Sequence, residues 1–179
     1  MVTKGPRRVV VIGGGAGGLM AALTAGQSGA EVTVLEMANR VGKKLLKTGN
    51  GRCNLSNTHV SPAGYNAPAF VKEILTAVDC AALRETFSSL GLWMTEDGEG
   101  RVYPRSDTAA SVLDVLRLAC AESGVREVCS AEVCAIRPEP DGSFFIKTRE
   151  SGNYSADRVI VATGGGTALL RSLGHRLVP

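Results

Sequence analysis

The sequence predicts an α/β fold in which a parallel sheet with flanking helices carries an inserted antiparallel β-meander. Three observations lead to this expectation. A strand, a glycine cluster, a helix and a second strand follow one another within the first 36 residues, helical segments fill the middle of the chain, and apolar runs alternate with turn sequences in the last third. The order strand, helix, strand in about thirty residues is typical of a βαβ unit, whose two strands pair in parallel.

The N-terminal βαβ unit is recognisable from its residue types. The run RRVVVI (Arg7–Ile12) is apolar and β-branched, which favours a strand, and LMAALTAGQ (Leu19–Gln27) consists mainly of good helix formers. The cluster Gly13–Gly18 lies between them, and EVTVLE (Glu31–Glu36) supplies the second strand. The glycine cluster therefore joins the end of a strand to the start of a helix.

The middle of the chain combines a loop with three helices. Met37–Asn57 shows no hydrophobic period, so we expect a loop there. The predicted helices are Ala69–Val78, Ala81–Leu90, and a third that begins after Asp107 or Thr108 and extends to about Glu122. Apolar and polar residues lie on opposite faces of the third helix, as in an ordinary packed layer.

The last third predicts strands separated by turns. The runs are Arg126–Ile136, Ser143–Thr148 and Ala156–Ala162, with PEPDG and ESGN turn sequences between them. This pattern predicts a meander over about 126–161. The final run is uniformly apolar, which suits a strand buried on both faces, so we expect it to leave the meander and join the parallel sheet. We expect one domain over 1–179 with the meander inserted.

Composition favours a folded cytoplasmic domain without a metal site. Hydrophobic residues make up 44% and charged residues 21%, which excludes general disorder, and a net charge of +3 is too small to predict a nucleic-acid or membrane partner. No apolar run approaches the roughly 18 residues of a membrane span. The five cysteines form no C-x-x-C pair and have no histidine at metal-ligand spacing, so we expect packed, reduced thiols and no metal ion.

The cluster Gly13–Gly18 fits the dinucleotide-binding pattern G-x-G-x-x-G of Rossmann-like domains. In that pattern Gly13 permits a tight turn, Gly15 lets a pyrophosphate approach the backbone, and Gly18 lets the helix pack closely on the strand. Glu36 ends the second strand, where a carboxylate accepts hydrogen bonds from the adenosine ribose and repels a 2′-phosphate, which disfavours NADP. The alternative is a glycine-rich turn that binds no nucleotide.

The Met37–Asn57 loop carries five positive charges and no acidic residue; its basic residues are Arg40, Lys43, Lys44, Lys47 and Arg52. One interpretation is a loop that covers cofactor phosphates and a flavin, with backbone N–H groups of Lys47–Asn54 near the isoalloxazine. The others are a solvated basic loop or a nucleic-acid patch. Cys53, beside Arg52, has either a depressed pKa and a redox role or, as we favour, a packing role in a tight loop.

Five sequence stretches together carry a family resemblance: VIGGGAGGLMAA, LE, VGKKLLKTGNGRCNLSN, GRVYPRSDTAASVLDVL and VIVATGGG. They resemble the BaiN-like NAD(P)/FAD-dependent oxidoreductases, also described as aminoacetone oxidase-like flavoproteins. The similarity extends from Arg8 to about Gly166, and KKLLKTGNGRCNLSN is far more specific than the glycine pattern. The resemblance implies a Rossmann-like FAD-binding domain of a flavin-dependent oxidoreductase.

The resemblance also implies site residues. Those that would contact FAD are Gly13, Gly15, Ala16, Gly18, Glu36, Arg40, Lys44, Gly51, Arg52, Cys53, Asn54, Val133, Ala162, Thr163 and Gly164, with Val133 near the adenine and the last three near the pyrophosphate. Arg101, Tyr103 and Pro104 would face the substrate, or else form a structural turn. NAD(P)H is implied as a transient reductant. No residue stands out as a catalytic acid or base.

The implied reaction is reduction of an unsaturated or carbonyl-bearing small molecule, or oxidation of a small amine. Two alternatives remain: an RNA-binding flavoprotein, against which the low aromatic content argues, and a non-catalytic nucleotide-binding remnant. The chain departs from the family at Thr167–Pro179, where a short helix is expected. We expect the substrate domain and the C-terminal flavin-binding segment to be absent, and the exposed sheet edge to favour self-association. We expect neither a nucleic-acid nor a membrane partner.

Overall fold

A computed structural model of the chain describes residues 5–165 and 168–175. In chain order its elements are β1 (Arg8–Ile12), α1 (Ala16–Gln27), β2 (Glu31–Leu35), β3 (Ser56–Asn57), α2 (Pro68–Ala77), α3 (Cys80–Ser89), β4 (Met94–Glu96), β5 (Arg101–Pro104), α4 (Ala109–Glu122), β6 (Arg126–Val128), β7 (Val133–Pro138), β8 (Phe144–Thr148), β9 (Asn153–Ala156), β10 (Arg158–Val161) and α5 (Ala168–Ser172). The chain divides into two compact units, the first combining residues 1–43 with 116–179 and the second comprising Lys44–Val115.

The first unit contains a parallel sheet of four strands in the order β10-β1-β2-β6. In its register, Ile12 of β1 is level with Leu35 of β2 and with Val161 of β10. The predicted parallel βαβ unit is confirmed. The last apolar run leaves the meander and joins this sheet beside β1, as expected.

Both faces of this sheet are packed. On one face an apolar cluster joins the sheet to the meander; its buried members are Val10, Ile12, Leu35, Ala131, Ile136, Ile146 and Ala156. Side chains alternate across a strand, so Val9 and Val11 of β1 point to the opposite face. They are buried as well. Helix α1 and the end of α4 pack against each other, since the Cys120 thiol lies 3.5 Å from the Leu19 carbonyl oxygen.

The meander consists of β7, β8 and β9 in antiparallel order. The inserted meander is confirmed, but the strands within it differ from the prediction. The run Arg126–Ile136 is not one strand: Arg126–Val128 pairs in parallel with β2, and only the part from Val133 enters the meander. The third meander strand, Asn153–Ala156, includes part of what looked like a turn. Pairing with the distant strand β2, which no local pattern encodes, decides the first case, and tight pairing with the preceding strand β8 decides the second.

The second unit contains a small antiparallel sheet, β3-β5-β4, with helices α2 and α3. The hairpin of β4 and β5 was not predicted, because both strands are short and polar residues interrupt them. Helices α2 and α3 each begin one residue before their predicted starts. Pro68 occupies the first turn of α2, and the Asp79 carboxylate caps α3 by accepting from the Ala82 N–H at 2.8 Å.

The expected short helix after the parallel sheet is present as α5. Gly166, where the family resemblance ends, lies outside the described residues, as do Thr167 and the last four residues of the predicted departure from the family. Across the described residues, no helix is both long and apolar enough to cross a membrane.

Candidate functional site

The candidate site lies at one edge of the parallel sheet in the first unit. Gly13, Glu36 and Ala162 each follow directly on a strand, and parallel strands end at the same edge. β1 lies between β2, the next strand in the chain, and β10, the last strand in the described part of the chain. This change of direction beside β1 is the place where open α/β sheets bind ligands.

Two glycines of the cluster are required by close contacts. Gly13 has φ +104°, and a Cβ there would lie 2.6 Å from the Ala162 carbonyl oxygen. A Cβ on Gly18 would lie 1.8 Å from the Gly13 carbonyl oxygen and 3.4 Å from the Ala162 Cβ. The 2.6 Å and 1.8 Å distances leave no room for a side chain, so Gly13 and Gly18 let the turn, the helix and β10 approach one another.

At position 15, neither close neighbouring atoms nor the backbone angles require a glycine. A Cβ there would meet nothing within 4 Å, and φ of −81° is available to any residue. Gly15 is the N-cap of α1, provides no side-chain cap, and is followed by a first turn without acidic residues. Ala16 begins the helix and is exposed. Open space therefore lies against an uncapped helix N-terminus, where backbone N–H groups attract an anion.

The Glu36 carboxylate is held by two backbone amides. The Gly14 N–H donates to Oε2 and the Ala38 N–H donates to Oε1, both at 2.7 Å. The backbone of Glu36 pairs as well: its N–H donates to the Val128 carbonyl at 2.9 Å and its carbonyl accepts from the Ala131 N–H at 2.9 Å. Glu36 is half-buried, beside the glycine cluster.

Gly14 is a further site residue that the sequence reasoning missed. Its carbonyl accepts from the Gly42 N–H at 2.7 Å, and a Cβ on Gly14 would lie 2.5 Å from Val41 Cγ1. Thus the segment after β2 is bound to the glycine cluster on both sides of Gly14. The only sequence signal was the glycine in Val41-Gly42, which was assigned to the Met37–Asn57 loop without a contact to Gly14.

The remaining predicted residues of the first unit differ in their positions. Ala162 and Thr163 lie beside Gly13, since a Cβ on Gly13 would be 3.3 Å from the Thr163 Cα. Gly164 follows with φ +67° and is exposed. Arg40 is exposed on the segment after β2. Val133 begins β7 and packs against the apolar cluster between sheet and meander, and no described contact joins it to Glu36 or the glycine cluster.

The predicted residues of the second unit are Lys44, Gly51, Arg52, Cys53 and Asn54. Lys44 is exposed, and the turn from Thr48 to Asn54 has an unusual backbone. Asn50 has φ 56° and Cys53 has φ 58°, in the left-handed region that non-glycine residues rarely occupy. A Cβ on Gly49 would lie 2.7 Å from the Asn54 backbone nitrogen. Turns that hold non-glycine residues at positive φ are found at binding sites.

Arg52 is fixed by two side chains of the same unit. Its guanidinium carbon lies 4.2 Å from the centre of the Tyr103 ring, and its Nε donates to the Asp107 carboxylate. Tyr103 and Pro104 are buried. Arg101 pairs with Asp97 at 2.7 Å within its own hairpin. Of the two interpretations of the GRVYP segment, these contacts favour the structural one.

Cys53 is a packed thiol. Its side chain is buried, and burial raises the pKa of the thiol, which a hydrogen bond with Thr48 only partly offsets. Both observations favour the packing role over the alternative of a depressed pKa. Among the cysteines, Cys134 also departs from the expectation of packed thiols, since it is exposed on β7. Within the described residues, no cluster of metal-binding side chains is present.

Comparison with known proteins agrees with this fold. A family model described as the HI0933-like protein Rossmann domain matches residues 7–174. The chain is 39% identical to the 3-dehydro-bile acid delta(4,6)-reductase of Clostridium scindens, over 96% of this chain and 45% of that protein. It is 27% identical to the ribosomal RNA dihydrouridine synthase of Escherichia coli, over 87% of this chain and 39% of that protein.

This chain thus spans less than half the length of these two relatives. Among solved structures, THI4 of Thermovibrio ammonificans superposes with a TM-score of 0.63 at 14% identity, over 96% of this chain and 64% of that one. That likeness concerns the fold alone.

Proposed function

Since the chain belongs to the HI0933-like Rossmann family, the BaiN-like group of FAD-dependent oxidoreductases, we propose that it is the FAD-binding portion of an oxidoreductase acting on a small molecule. The relative from Clostridium scindens is a reductase by name, so reduction of an unsaturated or carbonyl-bearing compound is the first choice and oxidation of a small amine the second. We further propose one FAD-binding domain over 1–179, with the meander at about 126–161 inserted, and NAD(P)H as the reductant.

The observation that carries the proposal is the open space at Gly15. Gly13, Gly14 and Gly18 are enclosed by neighbouring atoms, whereas Gly15 and Gly17 face open space, and Gly15 is the residue at the uncapped start of α1. This is a cradle that a Cβ would begin to fill and that a pyrophosphate fits, because the first N–H groups of the helix have no partner within the helix.

In this proposal the adenosine half of FAD is held by the first unit. Glu36 keeps one lone pair on each carboxylate oxygen after accepting from the backbone, so it can still accept from ribose hydroxyls. The glycine cluster, with Ala162, Thr163 and Gly164, surrounds the pyrophosphate, and Arg40 adds positive charge. The proposed contacts of Lys44, of Val133 and of the Gly51–Asn54 turn rest on the family resemblance.

FAD, when bound, supplies the redox chemistry by taking up and passing on a hydride equivalent. The protein binds and orients the cofactor and neutralises the charge of its phosphates. Helix α1 directs its N-terminal partial positive charge at the phosphates, and Arg40 and Lys44 are exposed cations without an ion-pair partner among the described residues. Both features favour an anionic cofactor over a neutral one.

The proposal is tested by titrating the purified chain with FAD and following flavin fluorescence. Glu36→Ala is expected to weaken FAD binding by about tenfold or more, because it removes charge-assisted hydrogen bonds worth roughly 1.5–3 kcal/mol each. Glu31→Ala is the matched control, since Glu31 is an exposed glutamate at the other end of β2. Unchanged FAD affinity in Glu36→Ala would contradict the ribose assignment, and a wild-type chain that binds no FAD would contradict the function.

A second candidate is an RNA-binding flavoprotein, favoured by the similarity to a ribosomal RNA dihydrouridine synthase. The low aromatic content argued against it, yet Trp93 and Phe70 in the second unit are 73% and 67% exposed and accessible for base stacking. This candidate predicts that the affinity for a single-stranded RNA oligomer falls steeply with salt, with a slope of about −0.7 per phosphate contacted. Salt-independent or absent RNA binding would exclude it.

A further inference from the structure

In the ligand-free chain the Glu36 carboxylate is already hydrogen-bonded to the glycine cluster. Gly14 is the residue immediately before Gly15, and its N–H is bonded to Glu36 Oε2 at 2.7 Å. The other oxygen, Oε1, accepts from the Ala38 N–H at the same distance. One carboxylate therefore bridges the glycine cluster and the segment that follows β2.

Three further contacts surround this bridge. The Gly42 N–H donates to the Gly14 carbonyl at 2.7 Å, so both polar groups of Gly14 are bonded. The Val41 side chain lies where a Cβ of Gly14 would be. The Ser130 N–H donates to the Ala38 carbonyl at 2.8 Å, which holds the far side of the segment. Gly14 is buried, so its amide cannot exchange this partner for water.

We propose that Glu36 is a positioning residue for pyrophosphate binding, in addition to its proposed contact with ribose. This rests on the proposed function of the first unit as a dinucleotide site. The carboxylate holds the N–H of the Gly13–Gly14 peptide, and the Gly42 N–H holds the carbonyl of the Gly14–Gly15 peptide. Gly14 is thus fixed on both sides, and with it the direction in which Gly15 presents its N–H group at the start of α1. Recognition of the ribose and of the phosphates is then coupled through one side chain.

The bridge depends on the length of the Glu36 side chain as well as on its charge. A glutamate spans the two amides, whereas an aspartate at the same position is shorter by one methylene and cannot reach both. Glu36→Asp therefore keeps the negative charge near the phosphates but breaks the bridge. A residue that only contacted ribose would leave the binding of a ribose-free ligand unchanged in this variant.

The first measurement uses inorganic pyrophosphate as the probe, because it contains no ribose. By isothermal titration, Glu36→Asp is expected to bind pyrophosphate about tenfold more weakly than the wild type, corresponding to the loss of one charge-assisted hydrogen bond. Glu31→Asp, at the exposed start of β2, is the matched control and is expected to bind normally. Equal pyrophosphate affinity in wild type and Glu36→Asp would overturn the proposal.

The second measurement needs no ligand and so separates this proposal from the proposed function. Amide hydrogen exchange of the ligand-free protein is expected to be at least about tenfold faster at Gly14 and Ala38 in Glu36→Asp. The Gly13 amide donates to the Leu35 carbonyl at 2.8 Å and serves as an internal reference whose exchange stays slow. Unchanged exchange at Gly14 overturns the positioning role, and so does a wild-type chain that binds no pyrophosphate. Faster exchange in a chain that binds pyrophosphate but not FAD overturns only the proposed FAD-dependent function.

Discussion

Gly18 lies so close to Gly13 that a Cβ on Gly18 would be 1.8 Å from the Gly13 carbonyl oxygen. The neighbouring atom belongs to the backbone, so it cannot rotate away as the end of a side chain does. This contact brings the first turn of α1 against the end of β1. Gly13 and Gly18 therefore have a structural role in the turn, whereas Gly15 faces open space.

Gly18→Ala is expected to destabilise the protein by about 1–3 kcal/mol, because the added methyl forces the helix away from β1. Gly17→Ala is the matched control. A Cβ on Gly17 meets nothing within 4 Å, so this change in the same helix is expected to stabilise by roughly 0.5–1 kcal/mol. Urea unfolding of both variants checks the difference, and similar stabilities would show that the close contact is not maintained in solution.

Gly15→Val is expected to abolish dinucleotide binding while retaining the fold. The side chain would occupy the open space at the start of α1 and exclude a pyrophosphate. Circular dichroism and flavin fluorescence together test this expectation. A variant that binds FAD normally would show that the glycine pattern is only a structural turn.

Arg52 and Asp107 are expected to stabilise the second unit jointly, through the stack on Tyr103 and the ion pair. Both side chains are substantially exposed, so a double-mutant cycle with Arg52→Lys and Asp107→Asn is expected to give a coupling of only about 0.5–1 kcal/mol. Lys47→Gln, an exposed residue of the same loop, is the control and is expected to be neutral. A coupling free energy of zero would show that the Arg52–Asp107 pair does not stabilise the second unit.

The thiols are expected to react in the order of their exposure. Cys134 is exposed and Cys129 half-buried, whereas Cys53, Cys80 and Cys120 are buried. A chromogenic disulfide reagent added to the native protein is expected to modify Cys134 first and the three buried thiols only after unfolding. In Cys134→Ser the fast phase is expected to disappear, and a fast phase that persists on Cys53 would contradict the burial of that thiol.

Stability is expected to fall above pH 9 because of Cys120. Burial raises the pKa of this thiol from 9.0 to about 11, with Glu127 adding to the effect. The contribution is fully present below the unfolded pKa and is lost as the pH rises through the folded value, since only the unfolded chain ionises in between. The free energy of unfolding should fall by on the order of 2 kcal/mol from pH 9 to pH 11 relative to Cys120→Ala, measured by urea unfolding. Parallel pH profiles would contradict the assignment.

Local sequence was enough to predict the strand, turn, helix and strand that build the candidate site. Gly13, Gly15 and Gly18 have different surroundings, and the spacing of the G-x-G-x-x-G pattern already distinguished them. Glu36 was identified by its place at the end of β2. Its bonds to Gly14 and Ala38 could not be predicted, because they depend on how the loop after β2 folds back on the cluster.

Elements that depend on distant partners were harder to predict. Arg126–Val128 resembles the start of a meander strand until its pairing with β2 is seen. The hairpin of β4 and β5 is local, but it was missed for a different reason: both strands are short and interrupted by polar residues. For Cys53, the neighbouring Arg52 suggested a low pKa. The guanidinium is instead engaged with Tyr103 and Asp107, and burial raises the pKa of the thiol, which agrees with the packing role favoured for Cys53.

The pairing of β1 with β10 also determines when the site can form during synthesis. Arg8 and Asp157 are 149 positions apart in the chain, yet the Arg8 N–H donates to the Asp157 carboxylate at 2.8 Å beside the paired strands. Closing so long a loop is a late and slow event in folding. Gly13 leaves the ribosome long before Ala162, which lies against it in the finished sheet. A nascent chain therefore carries the glycine cluster without its neighbours Ala162 and Thr163 until β10 has been synthesised and paired.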